Sequence, residues 1–372
     1  MAFEVWRLEF CRDVVTAIES PLTPASILEL ADAVRSSRRV LAVGAGTKPR
    51  LSQVGDDVTR LSTTALRGIV EYEPSEFTFT ALAGTPVRDI VAALGEKGQN
   101  LPFDPVLVDA GATLGGTVAA GLSGPGRFRF GGLRDFILGV RFIDGGGRLL
   151  RMGGKVVKNA AGFDLPKFLV GSLGRFGVLG EITFKVFPRP ATVRTLQLAA
   201  KDAATMADIF RTAGNSRWEI DALDASPGDN AVFARLAGPA TALDAIAAEI
   251  LARCPGSTLT ETDGAEVWQR VDGFGWTHAG GVLVKVALTP GDLPEFVTLP
   301  QSQPDVRSWV GAGGNVGWLS WPPGATLPKL GWPAVTLRGD APLWPGVRPR
   351  FDVMRAVKTA LDPQNRFPGL DE

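Results

Sequence analysis

Three clusters of glycine interrupt the first half of the chain, each where a strand is predicted to end or a helix to begin. The first is Gly44-Ala45-Gly46-Thr47-Lys48, the second lies within residues 109–124, and the third spans residues 171–177. Because glycine has no side chain, its backbone N–H groups can approach phosphate oxygens closely. One such cluster alone predicts only a tight turn. Three together favour a protein that binds a diphosphate.

The first cluster departs from two common phosphate-binding templates. It lacks the third glycine of the G-x-G-x-x-G fingerprint, and it lacks the four-residue gap of G-x-x-x-x-G-K-S/T. A Rossmann dinucleotide fold and a P-loop are therefore disfavoured.

The pattern around the clusters mixes helices and strands without the long regular alternation of a parallel sheet. Thr23 and Pro24 predict the cap and first turn of a helix that continues to Val34. The other elements predicted in the first half are strands at 39–43 and 77–82, a helix opened by Thr85-Pro86, and a hairpin over 135–151.

The composition changes after about residue 190. Eight of the nine tryptophans follow that point, and alternating strands and helices replace the glycine clusters. We predict two domains, over residues 1–190 and 191–372, since 372 residues exceed what one hydrophobic core usually serves. In the second domain, strands are expected near 193–198, 220 and 232–236, and helices near 203–212, 242–252 and 352–361. The predicted fold class is α+β.

Charge and hydropathy exclude several kinds of partner. Lys plus Arg, at 39, equals Asp plus Glu, at 39, so we expect no basic field for nucleic acid. No apolar stretch approaches the roughly 20 residues that cross a bilayer, and charges interrupt the N-terminal segment, so neither a membrane span nor a signal peptide is expected. Cys11 and Cys254 lie far apart and outside any C-x-x-C, which favours a cytoplasmic protein.

The chain contains one histidine, His278, and this limits its chemistry. A zinc site built from two or three histidines is impossible, and two cysteines cannot replace the missing ligands. A Ser-His-Asp triad would have His278 as its only base. We expect a structural or surface role for this residue.

The glycine clusters and their order resemble the FAD-binding domain of the vanillyl-alcohol oxidase and p-cresol methylhydroxylase (PCMH) superfamily. The matching segments are residues 44–48 (GAGTK), 111–117 (GATLGGT) and 171–179 (GSLGRFGVL). This resemblance implies a PCMH-type FAD-binding domain of two α+β subdomains, followed by a smaller α+β cap domain and a C-terminal helix.

A narrower resemblance is carried by residues 119–125 (AAGLSGP), 133–139 (LRDFILG) and 153–162 (GGKVVKNAAG). These segments are similar to those of the smaller FAD-binding subunits of glycolate oxidases. The implied function is the oxidation of a small hydroxy acid, glycolate, to glyoxylate. The implied partners are a larger flavin subunit and an iron–sulfur subunit, through which the chain would lie peripherally at the inner membrane.

The resemblance also assigns a role to each segment that holds FAD. The implied residues are Gly44, Ala45, Gly46, Thr47, Lys48, Gly111, Thr113, Leu114, Gly115, Gly116 and Thr117 at the diphosphate; Ser123 and Gly124 along the adjoining wall; Lys158, Asn159 and Gly162 near the isoalloxazine; and Gly177, Val178 and Leu179 beside the adenine. Covalent members attach the flavin through histidine or cysteine, and this chain has neither in or near its first loop. Non-covalent binding is therefore expected.

The sequence assigns no catalytic base. The histidine-rich segment of related hydroxyacid dehydrogenases has no counterpart in this chain. Arg127, Arg129 and Arg134 are the candidate ligands for a substrate carboxylate. Two alternatives stay open: a structural subunit that transfers no electrons, and a stand-alone oxidoreductase acting on another hydroxy acid or alcohol.

The tryptophans of the second half are expected mainly to fill a core. Trp318 and Trp321 stand three residues apart on a predicted strand, so they should face opposite sides of it. We therefore expect at least one of them to be available to a partner.

Overall fold

The computed structural model describes residues 21–154, 164–254, 257–260, 264–303 and 305–372. Its first layer is a helix with two parallel strands: α1 (Ile27–Ser36), β1 (Val40–Val43) and β2 (Thr59–Ser62). Ser26 caps α1 by accepting a hydrogen bond from the Glu29 N–H, so the helix begins later than the prediction from Thr23. Glu29 in turn accepts from the N–H of residue 25, which fixes the start of the helix at this point.

The second layer is an antiparallel five-stranded sheet in the order β3-β4-β8-β6-β7. Its elements and the connecting helices and strands are β3 (Ile69–Glu73), β4 (Thr78–Leu82), α2 (Val87–Gly95), β5 (Gln99–Asn100), α3 (Leu114–Ala120), α4 (Arg127–Phe130), β6 (Ile137–Ile143), β7 (Leu149–Gly153), α5 (Leu165–Phe168), β8 (Val178–Lys185) and β9 (Phe187–Pro188). Alternating apolar residues in β4 and β8 place Phe79 opposite Phe184, and their rings stack at 5.9 Å in the core.

The second half contains an antiparallel eight-stranded sheet in the order β13-β10-β12-β11-β15-β16-β14-β17, which we call the cap sheet. Its elements are β10 (Thr192–Ala199), α6 (Ala203–Gly214), β11 (Ile220–Ser226), β12 (Ala231–Gly238), α7 (Ala240–Arg253), β13 (Thr258–Thr260), α8 (Gly264–Asp272), β14 (Val282–Ala287), α9 (Leu293–Ser302), β15 (Arg307–Gly311), β16 (Val316–Trp321) and β17 (Ala334–Arg338). Helices α6, α7 and α9 cover one face of this sheet. The other face packs on the first half.

The last helix, α10 (Phe351–Leu361), returns to the first half of the molecule. Met354 and Val357 pack on the core of the five-stranded sheet, and Phe367 lies in the core beneath α1. The N–H of Val40 in β1 donates to the carbonyl of Arg366 at 2.7 Å. The C-terminal segment therefore completes the first layer, and the domain boundary at residue 190 stays a prediction from the sequence.

The mixed α and β architecture is confirmed, and most elements lie where the sequence predicts them. The hairpin appears as β6 and β7, and α6, α7 and α10 begin within two residues of their expected positions. Among the described residues, no helix combines the length and the apolar character needed to cross a membrane.

One expectation about the tryptophans is wrong. Trp318 and Trp321 do face opposite sides of β16, but they are only 5% and 2% exposed. The reason is that helices cover one face of the cap sheet and the first half covers the other. Neither side chain is available to a partner.

Candidate functional site

The first glycine cluster forms a loop at the carboxyl end of β1. Gly44 lies against the second cluster: a β-carbon on Gly44 would be 2.2 Å from the Oγ1 of Thr113, so only glycine lets the two loops meet here. Gly46 adopts a left-handed conformation, with φ of 68°. Within the described chain, the amides of residues 44–48 donate no hydrogen bond. Consecutive loop amides without a protein acceptor are the donors that a bound anion requires.

Lys48 ends this loop and is only 8% exposed. Its Nζ donates to the Thr47 Oγ1 at 2.9 Å, and no carboxylate among the described residues lies within ion-pair distance. Burial lowers the pKa of Lys48 to about 8. A buried ammonium without a counter-ion is costly, and a phosphate in the groove would remove that cost.

The second cluster forms the start of α3. Thr113 caps this helix by accepting a hydrogen bond from the Gly116 N–H at 3.3 Å. The N–H groups of Leu114 and Gly115 already donate to the carbonyls of Thr85 and Ala83, in the turn between β4 and α2, so a phosphate cannot use them. In contrast, the hydroxyl of Thr117 is buried and has no hydrogen-bond partner in the described structure.

All three clusters border one groove, which we call the glycine groove. It is lined by residues 42–43 at the end of β1, residues 44–48 of the first cluster, Thr113 and Gly116 of the second, and Leu173 and Gly174 of the third. Ala119 and Ala120 of α3 also border it, and their small side chains leave room. The structure therefore brings together backbone amides, one ammonium group and space, which are the features that a diphosphate needs.

Ser123 and Gly124 lie further along, where the chain leaves α3 and meets the cap sheet. They border a second cavity, the seam cavity, together with Arg127 from the first half and Trp276 and Trp318 from the second. The Oγ of Ser123 accepts a hydrogen bond from the Leu133 N–H at 2.9 Å. This hydroxyl therefore holds a neighbouring loop in place.

Gly111 precedes α3 in a left-handed turn with φ of 89°.

The remaining predicted cofactor residues lie elsewhere. Gly177 packs on Phe142, because a β-carbon there would be 2.8 Å from the Phe142 ring. Val178 and Leu179 belong to β8, and their side chains are buried in two separate cores. Contact between this segment and adenine stays a prediction. Lys158, Asn159 and Gly162 lie outside the described residues.

The three candidate arginines have different surroundings. Arg127 borders the seam cavity, and its side chain makes no ion pair in the described structure. Arg129 pairs with Glu219 at 3.2 Å, which binds α4 to the second half. Arg134 is exposed and borders neither cavity. Of the three arginines, Arg127 alone borders one of these two cavities.

His278 borders neither cavity. Its Nε2 lies 2.6 Å from the carbonyl oxygen of Asp305, and its backbone N–H donates to the Ser320 Oγ at 3.0 Å. These contacts join a loop to the cap sheet and agree with a structural role.

Lys285, in the middle of β14, is absent from the residues that the sequence singles out. Its Nζ crosses from the cap sheet to the first half and donates to the Gly121 carbonyl at 3.1 Å. In the sequence, Lys285 stands out as one charged residue inside the apolar run Val282-Leu283-Val284-Lys285-Val286. That pattern does not reveal what the charge faces.

Comparison with known proteins identifies the family. The model of a family described as an FAD binding domain matches residues 20–153. Glycolate oxidase subunit GlcE of Escherichia coli (strain K12) is 39% identical over 258 residues, which cover 68% of this chain and 68% of that protein. The chain belongs to the PCMH-type FAD-binding family. As a member of the PCMH-type family, it uses FAD and is an FAD-dependent oxidoreductase.

Other PCMH-type proteins match over different extents. Glycolate oxidase subunit GlcD of Bacillus subtilis (strain 168) is 32% identical over 146 residues, which cover 38% of this chain and 31% of that protein. A solved structure of alkyldihydroxyacetonephosphate synthase superposes with a TM-score of 0.65 over 92% of this chain and 74% of that chain, at 14% identity. At this identity the structural likeness shows the shared fold alone.

Proposed function

We propose that the chain is the FAD-binding subunit of a glycolate-oxidising complex, which converts glycolate to glyoxylate together with a larger flavin subunit and an iron–sulfur subunit. The identity of 39% to GlcE over 68% of both chains supports this assignment. The observation that carries it is the convergence of three glycine clusters on one groove that contains the uncompensated Lys48.

The proposed site uses the residues as the structure arranges them. The free amides of residues 44–48 and the ammonium of Lys48 bind the diphosphate in the glycine groove. The isoalloxazine extends along Ser123 and Gly124 towards the segment of Lys158, and the adenine towards Gly177. When bound, FAD supplies the acceptor for the hydride of a hydroxy acid.

The binding is proposed to be non-covalent and the complex cytoplasmic, at most peripheral at the inner membrane. Cys254 packs against the core of the second half, at the end of α7, and His278 contacts Asp305. Neither side chain borders the glycine groove. Acid precipitation should therefore release all of the flavin from the protein.

A matched pair of glycine variants tests the site. Gly46 and Gly98 both have left-handed backbones, with φ of 68° and 65°, and a β-carbon at either would meet open space. Only Gly46 borders the groove. We expect Gly46→Val to weaken FAD binding about tenfold or more, because its side chain occupies space beside the diphosphate, and Gly98→Val to bind FAD normally. FAD per chain after gel filtration measures this, and equal flavin in both variants would refute the site.

The complex itself provides the test of function. The chain is purified alone and together with the larger flavin and iron–sulfur subunits, and FAD is counted per chain. The proposal expects yellow protein in both preparations and bleaching by glycolate only in the complex. Colourless protein that still assembles would identify a structural subunit instead, and glycolate oxidation by the isolated chain would show that the partners are not needed.

A further inference from the structure

The side chain of Arg175, in the third glycine cluster, is only 1% exposed. An arginine is seldom buried without an ionic partner, because its charge loses the stabilisation that water provides. Among the described residues, no Asp or Glu side chain lies within ion-pair distance of this guanidinium, and its acceptors are three backbone carbonyls. The segments that carry these carbonyls therefore indicate what Arg175 does.

Two of the three segments line the glycine groove. The Nη1 of Arg175 donates to the carbonyl of Leu51 at 3.0 Å and to that of Leu173, and its Nη2 donates to the carbonyl of Glu372 at 2.6 Å. Leu51 follows the first glycine cluster and Leu173 lies within the third, and both border the groove. One guanidinium therefore joins two separate segments of the groove lining.

Backbone hydrogen bonds continue from both of these segments. The N–H of Leu51 donates to the carbonyl of Lys48 at 3.1 Å, and the N–H of Leu173 donates to the carbonyl of Ala119 in α3 at 2.9 Å. Leu173 has a left-handed backbone, with φ of 51°, which a bulky residue adopts only where its surroundings hold it there. Hydrogen bonds through Arg175 therefore connect the first cluster with the third and with α3.

The charge of Arg175 favours the same kind of ligand as the groove itself. Burial, and then the neighbouring charge of Arg50, lower the pKa of Arg175 to about 10, so the guanidinium stays positive at neutral pH. Its Nε is buried and has no acceptor in the described structure. Solvent screens a buried charge only weakly, so this cation favours an anion in the adjacent groove.

The contact with Glu372 raises the alternative that Arg175 only anchors the C-terminal segment. That segment has another anchor of the same kind in Arg366, whose Nη1 donates to the carbonyls of Val34, Arg35 and Ser37. None of the partners of Arg366 borders the glycine groove. The two arginines therefore differ in whether the carbonyls that they hold belong to the groove lining, and this difference separates the two roles.

We propose that Arg175 is a positioning residue of the diphosphate site, which holds Leu51 and Leu173 at the separation that FAD requires. This inference rests on the proposed function, in which the glycine groove binds FAD. Arg175 itself does not border the groove, so it acts through the two backbone segments that it joins. Its loss should weaken the binding of ligands that use the diphosphate part of the groove.

Three variants separate the positioning role from a purely structural one. Arg175→Met keeps most of the side-chain length and removes both the charge and the donors. Arg175→Lys keeps the charge but loses the planar group that donates in several fixed directions. Arg366→Met removes three hydrogen bonds to carbonyls outside the groove and is the matched control.

FAD is first counted in the purified full chain and then removed by dialysis, and the Kd values for FAD and for ADP are measured by calorimetry. ADP carries the diphosphate but no flavin. We expect Arg175→Met to raise both Kd values about tenfold or more and by similar factors, and Arg175→Lys to give intermediate values. Arg366→Met should bind both ligands as the wild type does. Urea denaturation of each variant separates a loss of stability from a loss of affinity.

Two results would show that Arg175 only anchors the C-terminal segment. These are a Kd for FAD in Arg175→Met equal to that of the wild type, and an equal loss of affinity in Arg366→Met. The inference is also wrong if the Kd for FAD rises while the Kd for ADP does not, because the change then lies at the flavin end.

A second variant decides the case in which Arg175→Met does not fold. A Kd for FAD in Arg175→Lys equal to that of the wild type would then overturn the inference, and a raised Kd would support it. Wild-type protein that neither carries nor binds FAD would instead refute the proposed function, since the flavin count precedes the titrations.

Discussion

Two lysines carry charge that no carboxylate of the described residues neutralises within ion-pair distance. Among the described residues, the Lys48 Nζ donates to the Thr47 hydroxyl and the Lys285 Nζ to the Gly121 carbonyl. Two other buried cations have acidic partners: Arg235 binds Asp104, and Lys358 binds Asp362 at 2.5 Å. The charges of Lys48 and Lys285 are therefore not balanced by an ion pair, as those of Arg235 and Lys358 are.

The affinity for FAD should depend on pH through Lys48. In the free protein the pKa of Lys48 is lowered to about 8 by burial, and a diphosphate would raise it again by favouring the charged form. FAD should therefore bind most tightly below about pH 8 and weaken by up to about tenfold for each pH unit above it. The Kd for FAD is measured near pH 7 and near pH 9. Lys48→Met should bind weakly with no such dependence, and an equal pH slope in this variant would contradict the role.

At the scale of helices and strands, the sequence predicts where individual elements lie. It does not predict which elements pack together when they are far apart in the chain. The apolar periodicity located α6 and α7, and it put Trp318 and Trp321 on opposite faces of β16. It could not show that both faces are covered, because the covering elements come from other parts of the chain. For the same reason Lys285 was missed: its neighbour, the end of α3, lies more than a hundred residues earlier in the chain.

Two helix glycines of different surroundings test how tightly α3 is packed. A β-carbon on Gly115 would lie 2.8 Å from the Ala83 Cβ and 3.0 Å from the Ala83 carbonyl oxygen, whereas one on Gly95 in α2 would meet nothing within 4 Å. We expect Gly115→Ala to lower the free energy of unfolding by about 1–3 kcal/mol through overpacking. Gly95→Ala should be neutral or stabilise by up to about 1 kcal/mol. Urea denaturation measures both, and equal midpoints would contradict the close contact.

The whole molecule is held together at a seam that combines apolar packing with one buried ionic cluster. Leu51 and Leu122 of the first half pack on Trp309 and Trp318 of the cap sheet. Beside them Asp104 of the first half binds Arg235 of the second. Asp272, at the end of α8, faces this cluster, and its Oδ1 is buried without a hydrogen-bond partner in the described structure. Among the described residues, Asp272 therefore lies in the seam without a cation in ion-pair contact with it.

Neutralising that carboxyl should stabilise the protein. Burial, and then the charge of Asp104, raise the pKa of Asp272 well above its ordinary value of 3.8. Because the folded state favours the protonated form, protonation of Asp272 contributes to the free energy of unfolding at low pH. That contribution is lost as the pH rises through the folded pKa. Asp272→Asn should be more stable than the wild type near pH 8, by on the order of 1 kcal/mol, and equal to it near pH 4. Thermal unfolding at both pH values tests this, with Asp109→Asn, at an exposed position, as the control. A less stable Asp272→Asn at the higher pH would mean that the charge is needed to hold Arg235.

The return of the C-terminal segment has a consequence for how the protein is made. The guanidinium of Arg175, which is 1% exposed, donates to the carbonyls of Leu51 at 3.0 Å and Glu372 at 2.6 Å. Phe367 is likewise 1% exposed, beneath α1. A nascent chain that has emerged only to residue 190 lacks the contacts made by Glu372 and Phe367. The first half is thus completed by residues that are synthesised after it, so the two halves mature together.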